Sequence, residues 1–417
     1  MALYKTLVKK VSISPEKKTK QKDYLAKGLL PIIDQGQQVI GGYSDNLDMQ
    51  LSCNLPVIVF GDHTRAVKYV DFPFGAGADG IKVLEPAEGI YPKFLYYATQ
   101  YLVLRLEDRG YARHYQYIEK KELDIPSVPE QKRIVARIEE LFSELDNGVE
   151  TLHKIKQQLA VYRQAVLKNA FEGAFTSGWR VENRDFTAEK IWLEIAEKKK
   201  QCKNLKVYEL EESIQLSSLP KSWKWVNIGD ISFGPEYGTS QKSLEKGKVP
   251  VIRMGNLQNG IIDWTDLVFS NDDTEIEKYR LMPGDVLFNR TNSPELVGKT
   301  AIYRGEQEAI FAGYLIRINQ FDCINPEYLA YYMNSFTAKQ YGNKVKTDGV
   351  NQSNINGKKL CAYPFPLCSQ EEQAQVVYEL ESRLSVCDSI EKTVDTALQQ
   401  AEALRQSILK QAFEGNL

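Results

Sequence analysis

The feature that most constrains this chain is a phrase it spells twice. RQAVLKNAFEG occupies residues 163–173 and RQSILKQAFEG residues 405–415, identical at eight of eleven positions at an offset of 242. Upstream at the same offset, Glu130-Gln131 falls on Glu372-Gln373, Ile134-Val135 on Val376-Val377, Ile138 on Leu380, Leu152 on Val394 and Leu167 on Leu409. No gap is needed over about 50 residues, the mark of a duplicated structural unit.

Both copies have the periodicity of long helices. In the first, apolar residues recur mostly three and four apart, at Ile134, Ile138, Leu141, Leu145, Leu152, Ile155, Leu159, Tyr162 and Val166. The second gives Val376, Leu380, Cys387, Ile390, Val394, Ala397, Ala401, Leu404 and Ile408. This is the a/d seam of a coiled coil. Pro129 suits a first helical turn, and Gly173 and Gly415 suit the stops. Gly148 and Arg383 interrupt the seam. Forty residues at ~1.5 Å each make a rod of roughly 60 Å.

The segments ahead of each rod are rich in Gly, Asn, Asp, Tyr and short apolar runs such as LPVIVF (55–60) and DVLFNR (285–290), which read as short strands. They also resemble each other: YPKFLYYATQYL (91–102) mirrors NPEYLAYYMNSF (325–336), each a predicted helix. The fold class is therefore α+β, with two mixed α/β domains and two long helices in a pseudo-two-fold internal repeat. Residues 1–126 form the first domain, 127–175 the first rod and 176–217 a connecting helix or linker containing TAEKIWLEIAEKKKQ. Residues 218–367 form the second domain and 368–417 the second rod. A pseudo-two-fold axis requires the rods to run antiparallel, with a globular reader at each end of a spacer.

Composition narrows the function. The net charge of −2 gives no global sign of nucleic-acid binding, so any basic surface is local. Residues 1–30 carry eight lysines against Glu16 and Asp23. No apolar run reaches the ~18 residues of a membrane span, and the lysine-rich start has no signal-peptide core, so the expectation is a cytoplasmic protein without membrane contact. The six cysteines are scattered and there are three histidines, without the paired spacing of a zinc site.

Several enzymatic signatures are incomplete. GAGADG (75–80) has the glycines of a dinucleotide loop, but IKVLEP follows with strand alternation where a helix should receive the pyrophosphate. SPELVGKTA (293–301) has Ser293 in place of the first phosphate-loop glycine. NPEY (325–328) approaches an adenine-methyltransferase motif, yet YPKF holds the same place in the first half, which reads as a shared helix start. His63 has no nucleophile framed beside it. No catalytic, metal-binding or cofactor-binding residue is assigned.

PEQKRIVARIEELFSELD (129–146) with RQAVLKNAFEG, repeated as SQEEQAQVVYELESRLSVCD (369–388) with RQSILKQAFEG, resembles the two conserved regions of type I restriction–modification specificity (S) subunits. LPKSWKWVNIGDI (219–231) is similar to the opening of that family's second target-recognition domain, whereas MALYKTLVKKVSIS stands at the start of the first. The resemblance implies a non-catalytic subunit that binds a split, asymmetric duplex DNA target through two recognition domains. It also implies docking of two methyltransferase (M) subunits and of motor-nuclease (R) subunits. S-adenosylmethionine, ATP and Mg²⁺ would belong to those partners. The alternative from residues alone is a coiled-coil scaffold whose terminal domains grip proteins or sugars.

Base-edge and phosphate contacts call for Arg, Lys, Asn, Gln, Ser, Thr and related donors in exposed loops. GDHTRAVK (61–68) supplies His63, Thr64, Arg65 and Lys68, and NRTNSPELVGK (289–299) supplies Arg290, Thr291, Asn292, Ser293 and Lys299. They follow the similarly placed runs IVF and VLF. Further candidates are Tyr237, Thr239 and Ser240 in YGTSQK, Arg253 and Asn256 in RMGNLQN, and Asn351 and Gln352 in KTDGVNQSN.

Overall fold

The structure, a computed structural model, describes residues 1–417 apart from 79, 108, 109, 111, 202–215 and 351. It divides into two compact units, Met1–Ile155 with Thr393–Leu417, and Lys156–Lys392.

In the first unit the run VIVFG forms the strand Val57–Gly61, buried at every position. It lies inside an antiparallel sheet of spatial order Val8–Val11, Ile81–Pro86, Val57–Gly61, Val67–Val70. Strand alternation splits its side chains between two cores. Ile58 and Phe60 pack with the helix Pro92–Leu104 and with Ile138 and Ile408 of the long helices. Val57 and Val59 face Ile33, Phe74 and Val83 on the other side. There a second sheet, Gly42–Ser44, Leu30–Ile33, Gly75–Ala76, ends in a parallel pair.

The second unit has the same strand order. Its antiparallel sheet runs Ser232–Tyr237, Leu315–Gln320, Val286–Asn289, Thr300–Ile302. Its three-stranded sheet is Val268–Ser270, Val249–Ile252, Ile310–Phe311, again with a parallel last pair. Val286 and Phe288 enter one core and Leu287 the other.

The opening segments also match. Lys224–Asn227 pairs with Pro364–Leu367 and leads into the turn Ile228–Asp230. Ala2–Leu3 pairs with Glu122–Leu123 and leads into the turn Tyr4–Thr6. MALYKT thus fills, without a tryptophan, the place WKWVNIGD fills in the second unit. Tyr4 is fully buried and its hydroxyl is 2.7 Å from that of Thr99.

The repeated segments form two helices of 44 residues, Val128–Phe171 and Gln370–Phe413, each ~66 Å long. They are antiparallel within each unit. In the first, Arg133 reaches the Leu417 carbonyl at 3.2 Å while Arg405 pairs with Asp146. In the second, Arg163 binds Asp388 and Glu391 at 2.6 and 2.7 Å. The offset of 242 carries Arg163 onto Arg405 and Asp146 onto Asp388, so the two ion pairs are reciprocal.

Of the predicted seam, Ile138, Leu159, Val166, Val376, Leu380, Val394, Ala401 and Ile408 are buried, and Ile134, Leu141, Leu145 and Leu152 are half-buried. Tyr162 and Leu404 are instead exposed, at 50% and 51%, and so is Ile390. The inward stripe there runs 159, 163, 166, 170 and 401, 405, 408, 412. It places an arginine, Arg163 or Arg405, where the apolar pattern put Tyr162 or Leu404. Spacings of four-three-four and three-four-four both fit a helical face, and the acidic residues opposite favour the arginine.

Two side chains explain why the phrase is repeated. Phe413 stacks on Tyr101 and packs against Phe94 in the first unit; Phe171 meets Tyr328 and Tyr332 edge-on in the second. At the other helix end, buried Gln131 accepts from the Tyr91 amide at 2.7 Å and donates to the Gly89 and Pro126 carbonyls. Gln373 likewise accepts from the Asn325 amide at 2.8 Å and donates to the Cys368 carbonyl. Both glutamines satisfy backbone groups at the start of a domain helix, groups that burial would otherwise leave unpaired.

Candidate nucleic-acid interface

The two candidate loops leave their sheets at the same ladder position. The Asp62 amide donates to the Gly80 carbonyl at 2.6 Å, and the Arg290 amide to the Tyr314 carbonyl at 3.0 Å, each just beyond the central strand. In both units the loop then returns as the neighbouring antiparallel strand.

In the first unit the loop is short and braced. Thr64 is exposed and its hydroxyl donates to the Gln35 carbonyl, while Arg65 holds a left-handed backbone, φ 61°. His63 and Arg65 are half-buried. Lys68 points inward: it is buried and donates to the Asp34 carbonyl at 2.7 Å. Burial lowers its pKa, and the Asp34 carboxylate opposes that shift. Asp62 is buried too, accepting from the Tyr115 amide at 2.9 Å with the Lys82 ammonium 3.6 Å away. His63, Thr64 and Arg65 thus lie at or near the surface of the loop, and Lys68 does not.

In the second unit the loop is longer. Arg290 stacks on the Tyr237 ring at 4.9 Å and donates to the Gly313 carbonyl at 3.3 Å. The Tyr237 hydroxyl accepts from the Gly357 amide at 2.8 Å. Beyond it, Thr291–Asn292 joins Ser353–Asn354 and Thr347–Asp348 in a small antiparallel sheet. The Asn354 amide group donates to the Thr291 hydroxyl at 2.7 Å. Asn292 accepts from the Ser293 amide at 2.8 Å, and Lys299 donates to the Gln258 side chain at 2.8 Å.

The structure therefore brings Tyr237, Arg290, Thr291, Asn292, Ser293 and Lys299 onto connected segments. It does not bring all the candidates there. Thr239 is buried and donates to Glu275. Asn256 is buried, donating to the Asp263 and Asp266 carbonyls at 2.9 Å each. Arg253 is paired with Asp266 at 3.1 Å. Ser240 and Gln352 are exposed, and Asn351 lies outside the described residues. Sequence reasoning named KTDGVNQSN (346–354) but singled out neither Lys346 nor Asn354 within it, and it passed over exposed Tyr314 and Lys359. The lysine density of residues 339–359 was the available signal.

Residues 220–400 match the family described as type I restriction modification DNA specificity domain. The EcoKI specificity subunit of Escherichia coli K12, a type I restriction enzyme subunit, is 29% identical over 301 residues, 71% of this chain and 57% of that protein. Over these residues the chain is therefore similar to type I restriction–modification specificity subunits. The putative MjaX specificity subunit of Methanocaldococcus jannaschii is 31% identical over 205 residues, 48% of this chain and 47% of that one. The chain thus spans about half the length of these two relatives. A solved chain from work on complex assembly and conformational transition of the type I R-M system covers 100% of this chain and 97% of its own at a TM-score of 0.61 and 15% identity, which shows a shared fold.

In this chain the tempting motifs have structural jobs. A strand, Ile81–Pro86, follows GAGADG. The amides of Leu296 and Val297 turn back to the Ser293 carbonyl within SPELVGKTA. Asn325 of NPEY caps the helix Pro326–Met333, accepting from the Glu327 and Tyr328 amides. Among the described residues, Glu194, Asp322 and Cys323 have metal-ligand spacing, but the Lys198 ammonium is already bonded to both carboxylates. No described helix is long and apolar enough to cross a membrane.

Proposed function

We propose that this chain is the DNA sequence-specificity subunit of a cytoplasmic type I restriction–modification complex, reading a bipartite asymmetric duplex with two target-recognition domains. Residues 1–126 and 218–367 are the readers. Residues 127–175 and 368–417 are the antiparallel helical spacer that sets the gap between half-sites, and 176–217 connects the halves. The subunit is non-catalytic. Two methyltransferase subunits and the restriction subunits dock on it, and S-adenosylmethionine, ATP and Mg²⁺ act in those partners.

One observation carries this reading: two units of one strand order present, at the same ladder position, a polar hairpin of different sequence. A shared scaffold with divergent hairpins suits two readers of two unlike half-sites. The test is methylome sequencing of a host expressing this chain with its methyltransferase partner. The expected result is one methylated motif split by a fixed non-specific gap. Methylation at a continuous motif, or none above the partner-only control, would refute the reading.

A further inference from the structure

Several cations of the second unit are neutralised by carboxylates. Arg317 is bound by Glu236 and Asp285 at 2.6 and 2.8 Å, Arg304 by Glu327 through two nitrogens, and Lys248 by Asp273 at 2.8 Å. A group of lysines around the 290–299 loop is held by neutral acceptors instead. Lys299 bonds the Gln258 amide oxygen, Lys346 the Pro294 carbonyl at 3.0 Å and Asn343 at 3.2 Å, and Lys359 the Thr347 hydroxyl at 2.6 Å. Lys339 completes the group, close enough to Lys299 that partial desolvation and the neighbouring charge lower its pKa. Among the described residues none of these four has a carboxylate within ion-pair distance.

Their supports are tied together. The small sheet joins the 290–299 loop to residues 347–354, and Lys346 crosses back to that loop through the Pro294 carbonyl. Over residues 290–299 and 336–361 the sequence has seven Lys and Arg against Glu295 and Asp348. Glu295 lies near Lys346 and is fully exposed, while Asp348 accepts from the Ser353 hydroxyl. Folding alone does not favour like charges held side by side on neutral acceptors. A polyanion supplies the missing counter-charge, and its phosphate oxygens replace neutral acceptors with anionic ones.

We propose that Lys299, Lys339, Lys346 and Lys359 form a cationic crescent that binds backbone phosphates of a nucleic-acid duplex, independently of its sequence. The inference rests on the DNA-binding reading above and adds the residues that supply affinity rather than specificity. Phosphate contacts are blind to sequence, so the probe is a fluorescein-labelled random-sequence duplex, titrated with the full-length chain at several salt concentrations. Each phosphate contact contributes about 0.9 to the slope of log affinity against log salt. The triple variant Lys299→Gln, Lys339→Gln, Lys346→Gln is expected to flatten that slope by about 2 to 3 while keeping its thermal midpoint. Arg304→Gln, which removes an ion-paired cation of the same unit, should leave the slope unchanged. A triple variant with the unsubstituted chain's slope overturns the crescent alone. No duplex binding by the unsubstituted chain, even at low salt, overturns the DNA-binding reading and the crescent with it.

Discussion

The first and second units weave their strands in one order, yet they part at the residue just past the central strand. Asp62 stands there in the first unit and Arg290 in the second. Asp62 is turned inward and binds the amide of Tyr115, the first residue of the helix Tyr115–Ile118. In the corresponding helix of the second unit, Gly357–Cys361, the Gly357 amide donates to the Tyr237 hydroxyl instead, and Asn356 accepts from the Lys359 amide. With the helix start satisfied by others, position 290 is released to carry a cation on the Tyr237 ring. The same backbone thus supports opposite charges at one place, because a different side chain has taken over a structural duty. A scaffold can change the charge it presents at one position once its internal hydrogen bonds no longer depend on the residue there.

The comparison can be broken by substitution, beginning with the aromatic plugs. Phe171→Ala empties a buried site and should destabilise the chain by about 3–5 kcal/mol. Phe413→Ala, at a half-buried position, should cost less, and urea unfolding of the two variants measures the difference. Next is the glutamate before each stapling glutamine. Glu372 is fully buried with Arg180 and Thr176, each 2.7 Å from it, whereas Glu130 is exposed and paired with Arg133. Glu372→Gln should lower stability by about 3 kcal/mol, and Glu130→Gln by far less. Equal losses would show that the two helix starts are interchangeable.

Asp62→Asn weakens a buried charge-assisted bond and should cost about 1–2 kcal/mol of stability. Arg290→Gln should leave the thermal midpoint in place and weaken duplex binding. The reverse pattern would contradict the division of labour between these positions. Small effects also belong to the reciprocal pairs: Arg163→Gln and Arg405→Gln should each cost about 0.5–1 kcal/mol, since their partners are largely solvent-exposed. Gly148→Ala, at a helix position with open space where a Cβ would stand, should raise stability by about 1 kcal/mol.

The long helices were legible because duplication and periodicity reinforce each other over 44 residues. Their inward face was legible only where it is apolar. At Arg163 and Arg405 the facing residue is charged, and its partner lies some 225 or 259 positions away, beyond the reach of any local pattern. The opening strand of the first unit escaped notice for a different reason. Tyr4–Thr6 and Ile228–Asp230 stand 224 residues apart rather than 242, so comparison at a fixed offset passes over them. The two candidate hairpins were recognisable from the apolar runs that precede them. Which side chains turn inward was not, because Lys68 and Thr239 are buried by acceptors, Asp34 and Glu275, distant in sequence or hidden in another element.

The first unit is assembled from residues 1–155 and 393–417, and its interior includes Ile408, Leu409 and Ala412. A ribosome therefore releases most of that unit long before it supplies the final pieces. The intervening unit, contiguous in the chain, is free to mature while the earlier one waits with an unfilled groove. The half translated first is the half completed last, and during that interval it is the part of the nascent chain most in need of protection from aggregation.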